Sequence, residues 1–445
     1  MPRLIDRLTD AFKRSAVIDD RLRYRHQYYE PVRKLLRELD TMDRAARRAL
    51  AERLTARTLQ WAARLPDGLP RGVPLAERPI IEKDDVRAHP ELFCTPALIR
   101  IPAATSGTTG IPVKLVRSLA NVAVEQAFID DLLGVWNYSF RSARMARLRA
   151  DNVKPQSDRE PPFGQYRDGG RRLLLSSNHL SALTVDWYFE SLRDLRPDVL
   201  FTHPSSGEAL ARLLQQRGLS LEIPVVLTSS EMLHPAGRLL MESVFNATVI
   251  DYYGMAERVV LAAGVAAGAY FFNPAYGRVE LLPIASGEAP AGHRAFEIVA
   301  TGYWNEAMPL ARYRSGDRAI VPESYTHEDL DDVCLGLKPV MSIEGRDKEH
   351  LISPRGEVIV GLTHAAAGIK GLVRMQVLQD AADRATIRVL VDPRVGRIDE
   401  AQLLRNAYVW VPADMRLTVE VVDEMERLPS GKTPFVIRRF AAASG

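Results

Sequence analysis

The sequence predicts an α/β protein, with a large N-terminal α/β domain of layered sheets and helices and a small C-terminal α+β domain. Three observations predict it. The chain has 445 residues, too many for one compact core. From about residue 95, short apolar runs alternate with helical stretches, the texture of strand–helix–strand units. Beyond Gly345, strand-like runs instead surround a single helical stretch. The expected domains are therefore 1–345 and 346–445.

Each element has its own signal. Residues 1–70 read as a helical lead-in, with Ala46, Leu50, Leu54, Trp61 and Leu65 on one face and interspersed charges on the other. That mixture of signs describes a solvated face rather than a membrane or nucleic-acid surface. LIRIPA (98–103) is strand-like and delivers a Thr/Ser/Gly run. Ser205-Ser-Gly-Glu208 has the form of a capping box opening the helix EALARLLQQRG. PVVLTSS (224–230) and TVIDYY (248–253) are strands flanking the helical GRLLMESVF. VVLAAGVAAGAYFF (259–272) is the longest uncharged apolar run; it is too short to cross a bilayer and reads as a buried strand pair. MQVLQ (375–379), IRVLV (387–391) and LTVEVV (417–422) surround a helix near 399–407.

Composition excludes several classes. The balance of 46% apolar and 26% charged residues is that of a soluble protein. A net charge of +3 is too small for a general nucleic-acid binder. Two cysteines, Cys94 and Cys334, cannot organise a disulfide framework, and a cytoplasmic location is expected. The charged N-terminus is not expected to be a secretory leader. The nine histidines lack metal-ligand spacing.

Five stretches carry candidate chemistry. Thr105, Ser106, Gly107, Thr108, Thr109 and Gly110, with Lys114 close behind, suit either an ordinary turn or a loop whose N–H groups and hydroxyls hold phosphate. Asp251-Tyr252-Tyr253-Gly254-Met-Ala-Glu257 ends a strand with aromatics and a carboxylate, suited to stacking on a base and holding Mg²⁺, or to nothing beyond a strand end. Asp317, in RYRSGDR, sits on a glycine turn where it could accept ribose hydroxyls or belong to a charged β-turn. Glu344-Gly-Arg346-Asp347 reads as an exposed hinge or an arginine contact. Lys432, in LPSGKTP, is a lysine on a tight turn.

Taken in order, TSGTTGIPVK, DYYGMAE, RYRSGD, EGRDKE and LPSGK resemble the motif series of the adenylate-forming superfamily of acyl-CoA synthetases, adenylation domains and luciferases. The likeness spans about residues 75–440 and is greatest to the phenylacetate–CoA ligase-like branch, which includes capsule-biosynthesis members. The resemblance implies ATP-dependent adenylation of a small-molecule carboxylic acid, followed by transfer to the thiol of CoA, an amine or a carrier protein. Activation of another oxyanion, such as nitrite for an aromatic amine, is the alternative within the superfamily. A catalytically inactive nucleotide-binding protein is the alternative outside it. It implies no nucleic-acid or membrane partner and a monomer or homodimer.

By position, the resemblance implies that residues 105–110 wrap the ATP β- and γ-phosphates beside Lys114. Tyr253 would stack on adenine within the wall formed by Asp251, Tyr252 and Gly254, and Glu231 would belong to the Thr228–Glu231 wall segment. Asp317 would bind ribose, Glu257 and Thr108 would hold Mg²⁺, and Arg346 would touch the nucleotide. Lys432 would reach the α-phosphate from a mobile C-terminal domain that turns about the EGRDKE junction. Two departures stand out. Ala256 replaces the usual Thr or Ser before the glutamate, and Asp347-Lys-Glu349 replaces an acidic pair, leaving Glu349 as the hinge by alignment.

Overall fold

The computed structural model describes residues 21–440, apart from 69–71, 98, 106–112, 150–152, 156–157, 159, 285–288, 291, 346–350, 355–357, 360–361, 367, 410 and 428–433. Two helices come first, α1 (His26–Leu39) and α2 (Arg44–Ala62). Asp43 caps α2 by accepting from the Ala46 N–H. Leu50 and Leu54 lie on its buried face as expected, joined by Ala51, Thr55, Thr58 and Ala62, whereas Ala46 is exposed. Thr58 is buried because its hydroxyl donates to Leu54 O and to Gly302 O.

Next come α3 (Lys83–Ala88), the hairpin β1 (Ile101–Ala104) and β2 (Lys114–Arg117), and α4 (Leu119–Leu132). Then follow β3 (Met145–Leu148), β4 (Gly164–Arg167), β5 (Arg172–Leu175), α5 (Val185–Leu195), β6 (Val199–Thr202), α6 (Pro204–Gln216), β7 (Val225–Ser229), α7 (Pro235–Phe245), β8 (Thr248–Gly254), β9 (Leu261–Ala266) and β10 (Ala269–Phe272). Strands 3–10 form one sheet of order β10-β9-β8-β7-β6-β3-β5-β4. Its centre, β5-β3-β6-β7-β8, is parallel, and both edges are antiparallel. Every residue of β6 and β7 is buried, as central strands covered on both faces require. The apolar run at 259–272 is the expected strand pair, β9 and β10.

The capping box expected at Ser205 does not form. Pro204 starts α6 two residues earlier than a Ser205 cap implies, because a residue with no N–H and a preset φ suits the first helical position. His203 becomes the N-cap, and the Ser205 N–H donates to Glu231 Oε2 at 3.1 Å.

A second, antiparallel sheet contains β11 (Gly277–Pro283), β12 (His293–Gly302), β13 (Tyr313–Pro322) and β14 (Ser342–Glu344), with α8 (His327–Cys334) between the last two. After the short pair β15 (Leu351–Ile352) and β16 (Val358–Ile359) comes a sheet of order β19-β18-β17-β20. It comprises β17 (Leu372–Ala381), β18 (Arg384–Val391), β19 (Arg416–Val421) and β20 (Val436–Arg438), with α9 (Glu400–Ala407) between β18 and β19. Val377, Ile387, Leu403 and Val436 share an apolar cluster of their own. The three strands expected here are β17, β18 and β19; β20 adds beside β17 through a parallel pairing of distant residues. Among the described residues no helix is long and apolar enough to cross a membrane. Both cysteines are free thiols.

Candidate functional site

The parallel strands β6, β7 and β8 end together, and the polar residues after their apolar cores gather there. This is where open α/β sheets place ligands. At the end of β7, Ser229 and Ser230 accept from the two Nη atoms of Arg149 at 2.7 and 2.9 Å. Glu231 follows; one carboxylate oxygen accepts from Ser205, and the other is buried with no hydrogen-bond partner.

On β8 the candidate residues divide into two sets. Asp251 is buried beneath the site: Thr228 Oγ1 donates to one oxygen at 2.6 Å and Tyr270 Oη to the other at 2.8 Å. Burial raises its carboxyl to about 6, against the opposing pull of those two donors and Arg238. Tyr252 packs beside the cluster of Phe201 and Leu227. Tyr253 instead crosses to the second sheet, where its hydroxyl donates to Asp317 Oδ2 at 2.6 Å. Burial, then the Asp317 charge, hold that phenol well above its ordinary range. Gly254 is the exposed end of the strand.

The turn expected around Asp317 is absent: Gly316 and Asp317 lie inside β13, at a register shift opposite Glu297–Val299. Gly316 has φ +75°, a conformation glycine adopts without strain. The Ser315 hydroxyl accepts from the Asp317 N–H at 3.0 Å. Next to it, Arg318 and Glu344 form a buried ion pair of 2.9 Å that ties β13 to β14 just before residue 346.

The Glu257 side chain is 3% exposed. Tyr313 Oη donates to its Oε1 at 2.7 Å, and Lys83 Nζ lies 3.5 Å from the same oxygen. Sequence reading missed both partners. They are brought there by a bridge between Ile81 and Tyr313, closed by Ile81 N to Arg312 O and Arg314 N to Ile81 O. This long-range pairing has no local signature.

Thr105 and Val113 close the base of the Thr/Ser/Gly run. The Thr105 N–H donates to Val113 O, and its hydroxyl accepts from the Val113 N–H at 2.9 Å. Lys114 begins β2, and with Arg64, Cys94, Arg100 and Val116 it lines a cavity of about 580 Å³. It is therefore not among the groups gathered around Glu257. Arg117, at the other end of β2, does reach that segment, donating to Ala256 O at 3.1 Å. Ser106, Gly107, Thr108, Thr109, Gly110, Arg346, Glu349 and Lys432 lie outside the described residues.

Residues on either side of 428–433 are placed by hydrogen bonds. The Gln376 amide donates to Glu426 O and Pro434 O on either side of it, at 2.9 and 3.0 Å. Phe435, three residues after Lys432, meets the ring of His234, three residues after Glu231, at 5.8 Å.

Residues 351–439 match the CapK C-terminal domain family. Protein CapK of Staphylococcus aureus is 20% identical over 81% of this chain and 79% of its own length. Phenylacetate-coenzyme A ligase of Pseudomonas putida is 24% identical over 64% of each chain. A 2-hydroxyisobutyryl-CoA ligase, solved in the postadenylation state in complex with 2-HIB-AMP, superposes with a TM-score of 0.59 at 18% identity, over 89% of this chain and 90% of that one. In motif order, fold and relatives the chain is similar to the adenylate-forming superfamily, and within it to the phenylacetate–CoA ligase-like branch.

Proposed function

We propose that this chain is an AMP-forming ligase that adenylates a carboxylic acid with ATP, releases pyrophosphate and passes the acyl group to the thiol of CoA. The observation that carries the reading is the Tyr253–Asp317 pair joining two sheets, with the buried Glu257 four residues further on. In this reading Tyr253 faces adenine, Asp317 takes the ribose hydroxyls, and the 105–110 run cradles the outer phosphates beside Lys114. Glu231 and Gly254 border the nucleotide, Arg346 touches it, and Asp251 and Tyr252 support that wall from within.

The donor set fits a hard divalent cation. Glu257 Oε1 already has the Lys83 ammonium 3.5 Å away, so this carboxylate stands where a positive charge is accommodated. No group of three or more His, Cys, Asp or Glu among the described residues could hold a metal alone, which suits Mg²⁺ held in part by phosphates. Glu257, with Thr108, would hold Mg²⁺, which would offset phosphate charge.

Attack on the α-phosphorus brings a carboxylate against a polyanion, so positive charge must accumulate as the bond forms. Lys432 supplies it in this reading, from a turn whose flanks already pack near the β7 end. We place the domain boundary between 345 and 346, on the support of the separate apolar cluster beyond 351. Rotation there would withdraw Lys432 and admit CoA.

The test is acid-dependent exchange of labelled pyrophosphate into ATP across a panel of carboxylic acids, followed by mass spectrometry of products with and without CoA. Acid-dependent exchange and a CoA thioester are expected. Absence of exchange with every acid overturns adenylation, and an acyl product other than the thioester reassigns the acceptor.

A further inference from the structure

Beside the Ala256–Glu257 segment lies a second group of charges, and positive charge exceeds negative in it. Arg117 donates through Nη2 to Ala256 O, while its buried Nε has no hydrogen-bond partner. Behind it, Arg258 donates to Asn121 O and Oδ1, both at 2.9 Å, and lies 3.5 Å from Glu125 Oε2. Tyr276 Oη donates to that same glutamate oxygen at 2.5 Å. Glu125 is thus shared by Arg258 and Tyr276, and among the described residues the acceptor given to Arg117 is a neutral carbonyl.

The strain on Arg117 is electrostatic. Burial, followed by the like charge of Arg258, lowers its guanidinium to about 10, with Arg23 adding to the effect and Glu125 and Tyr276 opposing it. Lys83 and Tyr313 hold the Glu257 carboxylate, whereas Arg117 donates to the carbonyl of Ala256 with Arg258, Glu125 and Tyr276 behind it, so the two clusters use different side chains although Ala256 and Glu257 are consecutive. A sheltered guanidinium with an unused N–H costs stability unless an anion completes it. A perturbed charge beside a site is a mark of ligand binding. A guanidinium edge also takes a carboxylate through two parallel hydrogen bonds.

We propose that Arg117, backed by Arg258, receives a second anionic group on the substrate, so that the acid adenylated here is a dicarboxylate or a comparably doubly charged acid. The inference rests on the adenylation reading. One carboxylate goes to the nucleotide beside Glu257, and the other is held at Arg117. Arg117 then sets specificity while leaving the reacting atoms to other groups.

The experiment uses the full chain with two matched series, succinate, glutarate and adipate against butyrate, valerate and hexanoate. Binding is measured by calorimetry without ATP, and exchange of pyrophosphate into ATP is measured with it, for the native protein, Arg117→Leu and Arg117→Lys. A dicarboxylate is expected to bind at least about tenfold tighter than its monocarboxylate. Arg117→Leu removes that preference and raises KM for the diacid by about tenfold or more, with kcat and ATP affinity nearly unchanged; Arg117→Lys restores part of it.

Equal use of both series by the native protein overturns the proposal, as does failure of the dicarboxylates to bind. A loss of ATP affinity in Arg117→Leu also overturns it and assigns the arginine to a nucleotide phosphate. Arg117-dependent diacid binding without any exchange would leave this subsite standing and remove adenylation; exchange confined to monocarboxylates would do the reverse. If Arg117→Leu fails to fold, Arg117→Lys and Arg117→Gln carry the same comparison.

Discussion

Asp251 is one residue whose surroundings dictate a measurable pH dependence. Its carboxyl rises from 3.8 to about 6 on folding, chiefly through burial. A raised acid favours the protonated folded state, so its stabilising effect is complete below about pH 4 and is lost as pH passes through 6. The shift corresponds to about 3 kcal/mol at most. Asp251→Asn should lack that decline. The difference between the two unfolding free energies should therefore move in favour of the variant by about 2–3 kcal/mol between pH 4 and 7.5, as denaturant titrations would show. A difference curve flat in pH would refute the buried-acid account.

Lys432 is expected to act only when charge develops. Lys432→Ala should lower pyrophosphate exchange by at least about 100-fold while calorimetric ATP affinity stays within about threefold. Full turnover in the variant would remove the lysine from the reaction.

How much was legible also differs from residue to residue. Tyr253, Asp317 and Glu257 stand in compact motifs, and their side chains converge in space. Lys83 could not be found that way, and Tyr313, though inside RYRSGD, carried no signal of its bond to Glu257. KDDV at residue 83 is an ordinary helix start, and only the Ile81 bridge to β13 turns its lysine toward Glu257. Arg117 had a faint signal, since a charged residue closes the strand after Lys114 on the opposite face of a period-two pleat.

At the level of elements, apolar runs located β7, β8, β9 and β10 because burial alone selects them. End chemistry was harder to read. At α6 the capping-box pattern at Ser205 gave way to Pro204 at the first helical position, and the Ser205 N–H found its acceptor in Glu231, which follows another strand. Glycine is restrictive in β11 for a reason outside its own strand. A Cβ at Gly277 would lie 2.0 Å from Val259 O and 2.9 Å from Thr301 O. Because both obstacles are backbone, Gly277→Ala should destabilise the protein by about 3 kcal/mol, seen as a fall in the urea midpoint at constant slope. A stability change below about 0.5 kcal/mol would show that the two segments can part.

Across the whole molecule, the last sheet meets the first one along α6. Val373 packs into the large sheet's apolar cluster, and Gln216 Nε2 donates to Leu372 O at 3.1 Å. Arg374 is carried into the same contact, where one guanidinium nitrogen is buried without a partner. Burial and then Arg427 lower its guanidinium to about 10, while Glu231 and Glu208 act in the opposite direction. A charge held this way is an expense to folding, so Arg374→Met should raise stability by about 1 kcal/mol, measured by denaturant unfolding. A loss of stability would mean that the two glutamates outweigh the burial cost. This seam was not readable beforehand, since Arg374 lies more than 140 residues from Glu231 and no local pattern links them.

The hairpin strand β2 has a consequence for how this chain tolerates change. Four residues long, it presents Lys114 and Val116 to one cavity, and sends Leu115 and Arg117 the other way. Substitutions there alter one tooth of the comb at a time. A single inserted or deleted codon would exchange the two rows, turning the arginine outward and an aliphatic side chain toward Ala256. This strand should therefore tolerate a change of letter far better than a change of length.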